Sequence, residues 1–193
     1  LTNDATLRAE AQRMMADPKA DTLLEHFVWV WLGYDKFKAH AVDLNLFPEY
    51  TDELKNAFAE ETRTFLKYIL DEGRPISEML DAKYTFLNET LANFYGVPGI
   101  TGNHLRRYNW PEGSVRAAGI LGHGSSLTGH SGANKTSPVP RGFWVMDKMM
   151  CDRPPEPDAD VIALFPPVPV GLNPRAASEF HSESGPACAG CHA

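Results

Sequence analysis

Cys188 and Cys191 stand two residues apart near the end of the chain, and His192 follows at once, in the run CAGCH. Two thiols at this spacing can add to the two vinyl groups of a porphyrin. The imidazole of the next residue then lies under the ring, where it offers the iron a neutral nitrogen. The order predicts one covalently bound haem c, with Cys188 and Cys191 as the attachment points and His192 as the proximal iron ligand. Two other chemistries use the same residue types. Zinc could take two thiolates and an imidazole, although His192 directly after Cys191 is cramped for chelating one tetrahedral ion. A redox disulfide between the two cysteines is the third reading, but such a pair ordinarily opens a helix in a βαβ pattern, and no such pattern surrounds it.

A haem held by His192 needs its other axial side filled from upstream or left open. Six further histidines compete: His26, His40, His104, His123, His130 and His181. His123 and His130 stand out as sixth-ligand candidates because they flank GHGSSLTGH, whose small residues let backbone approach a flat cofactor. Their plainer reading is hydrogen bonding within the loop. Met146, Met149 and Met150 are softer alternatives that equally suit a helix core beside Phe143 and Trp144. Arg141, after TSPVP, could pair with a haem propionate through its planar fork, or anchor the loop before it. Glu60 with Glu61, and Asp158 with Asp160, fit no acid/base arrangement and read as solvated surface. GHGSSL lacks the G-x-S-x-G spacing of a nucleophile elbow. Cys151 remains as a free thiol, expected to be a small buried hydrophobe at a helix end.

The elements that must carry these residues read as mainly α. ATLRAEAQRMMA and ADTLLEHFVWVWLGY are two helical stretches parted by Pro18, and in the second Leu23, Leu24, Phe27, Val28, Trp31 and Leu32 predict a broad apolar face with His26 beside it. Thr51 opens the longest helix, TDELKNAFAEETRTFLKYILDEG, with Leu54, Phe58, Phe65 and Ile69 inward and Gly73 as its stop. RPISEMLDAKYTFLNETLANFYGV reads as a short helix, a turn and a second helix ending at Gly96. From Val97 to Pro140, turn residues predict long ordered loops with at most one short strand pair, before a helix from about Arg141 to Met150. Prolines in the segment from Asp152 to Pro174 predict an extended strap over a surface. The organisation expected is thus a helical domain over 1–97 and a loop-rich domain over 98–193, with one helix, the strap and the terminal motif.

The 193 residues carry a net charge of −7, and no Lys or Arg stripe could neutralise phosphates, which excludes nucleic acid as an expected partner. No stretch has the apolar length of a transmembrane segment. A start without Met, and an end directly after CAGCH, predict a piece of a longer precursor.

The blocks LRAEAQRMMADPKA, WLGYDKF, LFPEYTDELKNAFAEET, DAKYTFLNETLANFYGV, GILGHGSSLT, KTSPVPRGFWVMDKMMC and PACAGCHA run almost end to end. Together they resemble the large secreted proteins, abundant in planctomycetes and other environmental bacteria, that join domains of unknown function to cytochrome c-type haem motifs. YTFLNETLANFYG and TSPVPRG look like the two middle domains of such proteins. The resemblance implies export to the periplasm or beyond it, a haem-linked redox role and a partner that is a redox protein or a further domain of the same precursor, with an oligomer or multi-subunit assembly open. It brings no substrate. The chain departs from the pattern in lacking the usual upstream cytochrome portion and in stopping where such proteins continue with another helical segment. The competing expectation, from another class, is a non-catalytic helical interaction module.

Overall fold

The computed structural model describes residues 3–155, 169, 171–183 and 185. The chain forms two compact units, Leu1–Gly129 and His130–Ala193.

The first unit is built on one long helix. In order it holds α1 (Asp4–Met15), a 3-10 turn (Pro18–Ala20), a π-helical stretch (Leu23–Val28) running into α2 (Trp29–Trp31) and a 3-10 segment (Tyr34–Ala39). These are followed by α3 (Asp52–Asp71), α4 (Glu78–Asp81), β1 (Tyr84–Leu87), α5 (Glu89–Tyr95), β2 (Arg106–Asn109), a 3-10 turn (Gly119–Gly122) and α6 (Gly124–Gly129). The mainly α expectation holds: among the described residues the strands are two short ones. Helix α3 starts as its sequence directs, because the Thr51 hydroxyl accepts from the Leu54 N–H at 3.2 Å and Asp52 and Glu53 meet the positive end of the dipole. Leu54, Phe58, Phe65 and Ile69 are all buried along it. Gly96, left-handed at φ 73°, ends α5 as expected.

Three expectations are corrected. YTFL is not helix: Tyr84–Leu87 is a strand, antiparallel to β2 with Tyr84 opposite Asn109 and Leu87 opposite Arg106. All four of its residues are buried. A strand covered on both sides reads as an unbroken apolar-aromatic run, which periodicity does not separate from buried helix. Asn88 then caps the following α5 by accepting from the Leu91 N–H. The second correction concerns the stretch after Pro18. It is broken by the π turn, whose wider ring brings Trp29 into line with Leu24, five residues before it. Leu24, Trp29 and Leu32 are therefore buried, while Leu23, Phe27 and Trp31, assigned to the apolar face, are exposed, as is His26. Trp29 packs on Tyr34, with the Arg63 guanidinium 5.5 Å from its ring centre, and Arg63 also pairs with Glu25. Third, the region expected to be long loops contains the 3-10 turn at Gly119–Gly122 and α6.

The glycines of GILGHG are needed for close approach of the chain to itself. A Cβ on Gly124 would lie 2.2 Å from the Phe58 ring, and one on Gly119, at φ 50°, would lie 2.2 Å from the Met79 carbonyl oxygen. These small residues admit protein rather than a cofactor.

In the second unit, α7 (Pro138–Lys148) begins three residues earlier than expected, with proline in its first turn, where the missing N–H costs nothing. It buries Trp144. Cys151 is exposed rather than buried and takes φ 54°, where the chain turns out of the helix end. Helix α8 (Pro174–Glu183) follows and had not been expected; Asn173 accepts from the Ala176 N–H at its start. The strap expectation over Asp152–Pro174 falls largely outside the described residues, as do Asp158 and Asp160.

Gly124→Ala must displace the enclosed Phe58 ring and is expected to destabilise the protein by about 1–3 kcal/mol. Gly142→Ala, in α7 with nothing within 4 Å of the new Cβ, should stabilise it by up to about 1 kcal/mol. Urea unfolding curves of the two variants check the contrast.

Candidate functional site

The polar groups of the first unit converge on one side chain of α3. Glu61 is completely buried, and so is its neighbour Thr62. This corrects the reading of Glu61 as solvated surface, while Glu60, one residue earlier, is exposed as expected. The Glu61 carboxyl accepts from the Thr85 hydroxyl of β1 at 2.6 Å on Oε1 and from the Tyr95 phenol of α5 at 2.6 Å on Oε2. Tyr95 in turn accepts from the Gly124 N–H at 3.0 Å, and the Arg116 guanidinium lies 4.0 Å from the centre of its ring.

His123 closes the network. It is 2% exposed, with Nδ1 3.0 Å from the Thr62 hydroxyl, Nε2 3.4 Å from the Thr85 hydroxyl and its ring edge-on to Phe65. Thr62 also meets the Ser125 hydroxyl at 2.6 Å, and Ser126 meets the Tyr34 phenol at 2.5 Å. The neutral tautomer with its proton on Nε2 lets each member of one chain donate once: Ser125 to Thr62, Thr62 to His123, His123 to Thr85 and Thr85 to Glu61.

Burial decides the charges. It pushes the Glu61 carboxyl up to about 7, against the pull of hydrogen bonds from Thr85 and Tyr95 and of Arg116. Burial, assisted by Arg116, pulls His123 down to about 3, so the imidazole is neutral at every ordinary pH. Burial likewise raises the Tyr34 and Tyr95 phenols well above the usual tyrosine range, and the Glu61 carboxyl beside Tyr95 adds to its rise.

The residues singled out by sequence are distributed differently. Cys188, Cys191 and His192 lie outside the described residues. His123 is a core residue whose two ring nitrogens both face threonine hydroxyls, which is the hydrogen-bonding alternative to ligation. His130 stacks on Trp144 with ring centres 4.4 Å apart. Arg141 donates from Nε to the Ser137 carbonyl at 3.2 Å and so anchors the start of its own helix. His40 is half-buried and lowered by burial and by Lys55, and His104 is exposed beside Arg106. Met150 is exposed. Among the described residues no group of three or more His, Cys, Asp or Glu is placed to hold a metal ion, and no helix is long and apolar enough to cross a membrane. The sequence carries one local signal for the burial of Glu61 and Thr62. Leu54, Phe58, Phe65 and Ile69 leave a gap in the helical stripe that these two residues fill.

Fold and composition define a mainly helical protein. Two family models match it: the chain belongs to PSD4, described as a protein of unknown function (DUF1592), over residues 1–97, and PSCyt3, a protein of unknown function (DUF1588), matches residues 117–193. No curated protein and no solved structure matches the chain.

Glu61 and His123 titrate in opposition on folding. Glu61, raised from 4.5 to about 7, lends stability that is full below 4.5 and lost as pH rises through 7. His123, lowered from 6.5 to about 3, lends stability that is full above 6.5 and lost as pH falls through 3. Between 4.5 and 6.5 the two slopes cancel, because folding in effect moves one proton from imidazole to carboxyl. Glu61→Gln should therefore make stability rise with pH across that window, and His123→Asn should make it fall, each by about 1.4 kcal/mol per pH unit. Chemical denaturation at several pH values checks the opposite signs.

Proposed function

We propose that the chain is a c-type haem protein that acts in electron transfer, as a relay or as the haem part of a periplasmic or extracellular oxidoreductase. The observation that carries the reading is the order Cys188, Cys191, His192 inside the segment matched by PSCyt3, a name that contains the abbreviation for cytochrome. The donor set fits haem c: two thiols for the thioether bonds and an imidazole in the next position for the iron. When bound, such a haem supplies one-electron chemistry at iron, and the protein's share is to fix the ligands and limit water so that the potential is set.

His130 or His123 would supply the sixth ligand: His123 would have to leave two threonine hydroxyls and a sealed core to reach iron, and His130 is half-buried and stacked on Trp144. Arg141 already uses Nε on Ser137, and a propionate would be met by the outer nitrogens of its fork.

Export of the chain through a bacterial c-type maturation system should yield a product heavier by one haem, with a Soret band. Cys188→Ser with Cys191→Ser should abolish attachment. His192→Ala should keep the mass addition and shift the Soret band, since the thioethers survive while the axial ligand is lost. A mature product with no haem, or with zinc in its place, would leave the interaction module as the standing reading.

A further inference from the structure

We propose that Tyr95 is a redox-active tyrosine, with Glu61 as its proton acceptor and Trp110 and Tyr108 as the aromatic route that brings an oxidising equivalent to it from the surface. A phenol gives up an electron readily only when its proton leaves with it, because the phenol radical cation is a very strong acid. The acceptor must already be in hydrogen-bond contact. Tyr95 meets this condition, donating to Glu61 Oε2 at 2.6 Å from a carboxyl with no exposure to solvent. On its other side the Tyr95 ring lies 6.0 Å from Trp110, and Trp110 lies 5.2 Å from Tyr108. Tyr95, Trp110 and Tyr108 are all half-buried, so the ladder reaches solvent, while Glu61 behind it has no exposure.

In the step, a high-potential one-electron oxidant at the Tyr108 and Trp110 end is reduced by one electron supplied by Tyr95. The Tyr95 O–H bond breaks as its proton forms an O–H bond to Glu61 Oε2, which leaves a neutral phenoxyl radical beside a neutral acid. Any one-electron reductant at the same end reverses it. The groups facing Glu61 are consistent with this traffic. Thr85 donates to its other oxygen, His123 beyond Thr85 is neutral, Tyr34 stays protonated, and the charge of Arg116 favours the ionised carboxylate that can accept. Tyr84 offers an instructive contrast among the six tyrosines. It also donates to a carboxylate, Glu78, at 2.6 Å, but Glu78 is gripped by Arg74 and held below the usual carboxylate range, which makes it a poor proton acceptor.

The test uses the haem-free chain, so that its outcome is independent of the CAGCH reading. Photogenerated tris(bipyridine)ruthenium(III) serves as the oxidant, and freeze-quenched samples are read by electron paramagnetic resonance. The wild type should give a tyrosyl radical that Tyr95→Phe loses in large part and Trp110→Leu diminishes. The yield should rise as Glu61 ionises through about 7, and Glu61→Gln should flatten that profile. Equal radical yields in wild type and Tyr95→Phe would overturn the assignment. Should Glu61→Gln not fold, the wild-type profile decides alone, since a yield unchanged on either side of pH 7 removes Glu61 as the acceptor.

Discussion

The burial of one carboxyl organises the first unit. Removing an acid from water is costly unless it is neutralised or supplied with donors, and Glu61 receives both remedies. Its donors come from β1 and α5, and the Gly124 N–H reaches it through Tyr95. Each connection joins residues far apart in sequence, so satisfying this side chain requires α3, β1, α5 and the start of α6 to meet in one arrangement. Apolar packing alone would tolerate several rotations of α3 against its neighbours. A half-satisfied acid would not, because each lost donor leaves a buried polar atom unpaired.

The glycines of residues 119–124 follow from the same constraint. For the Gly124 N–H to reach Tyr95 and for His123 to sit between Thr62 and Thr85, the backbone must lie directly against Phe58 and Met79. Only residues without a Cβ fit there, and at Gly119 the positive φ adds a second reason. The Gly-rich run that looked like a cradle for a flat cofactor is a cradle for the protein's own polar centre.

What could be read from sequence was what is local. The α3 stripe, its Thr51 cap and the Gly96 stop depend on spacings of a few residues, and all three are found. The strand Tyr84–Leu87 was hidden because burial on both faces erases alternation. The π turn was hidden because it shifts the inward face by one residue, exposing Phe27 and Trp31 and burying Trp29. Glu61 was hidden by the rule that acids are solvated, which holds for its neighbour Glu60 and fails only because partners 24 and 34 residues away exist. Nothing near position 61 announces those partners.

The same distinction separates the two proposals made for this chain. The CAGCH reading needs five consecutive residues, and its logic is complete before any fold is known, since thiol spacing and the adjacent imidazole already match the cofactor's own geometry. The centre around Glu61 has no such signature: Tyr34, Thr62, Thr85, Tyr95, Arg116 and His123 are ordinary residues until the fold brings them together. His123 shows how the two kinds of inference collide. Beside glycines it resembles a ligand awaiting iron, because glycine reports that something approaches closely without saying what. Once Thr62 and Thr85 are seen at its two nitrogens, the imidazole is a neutral link in a hydroxyl chain that ends on a carboxyl, and its glycine neighbours are the means by which that chain was closed.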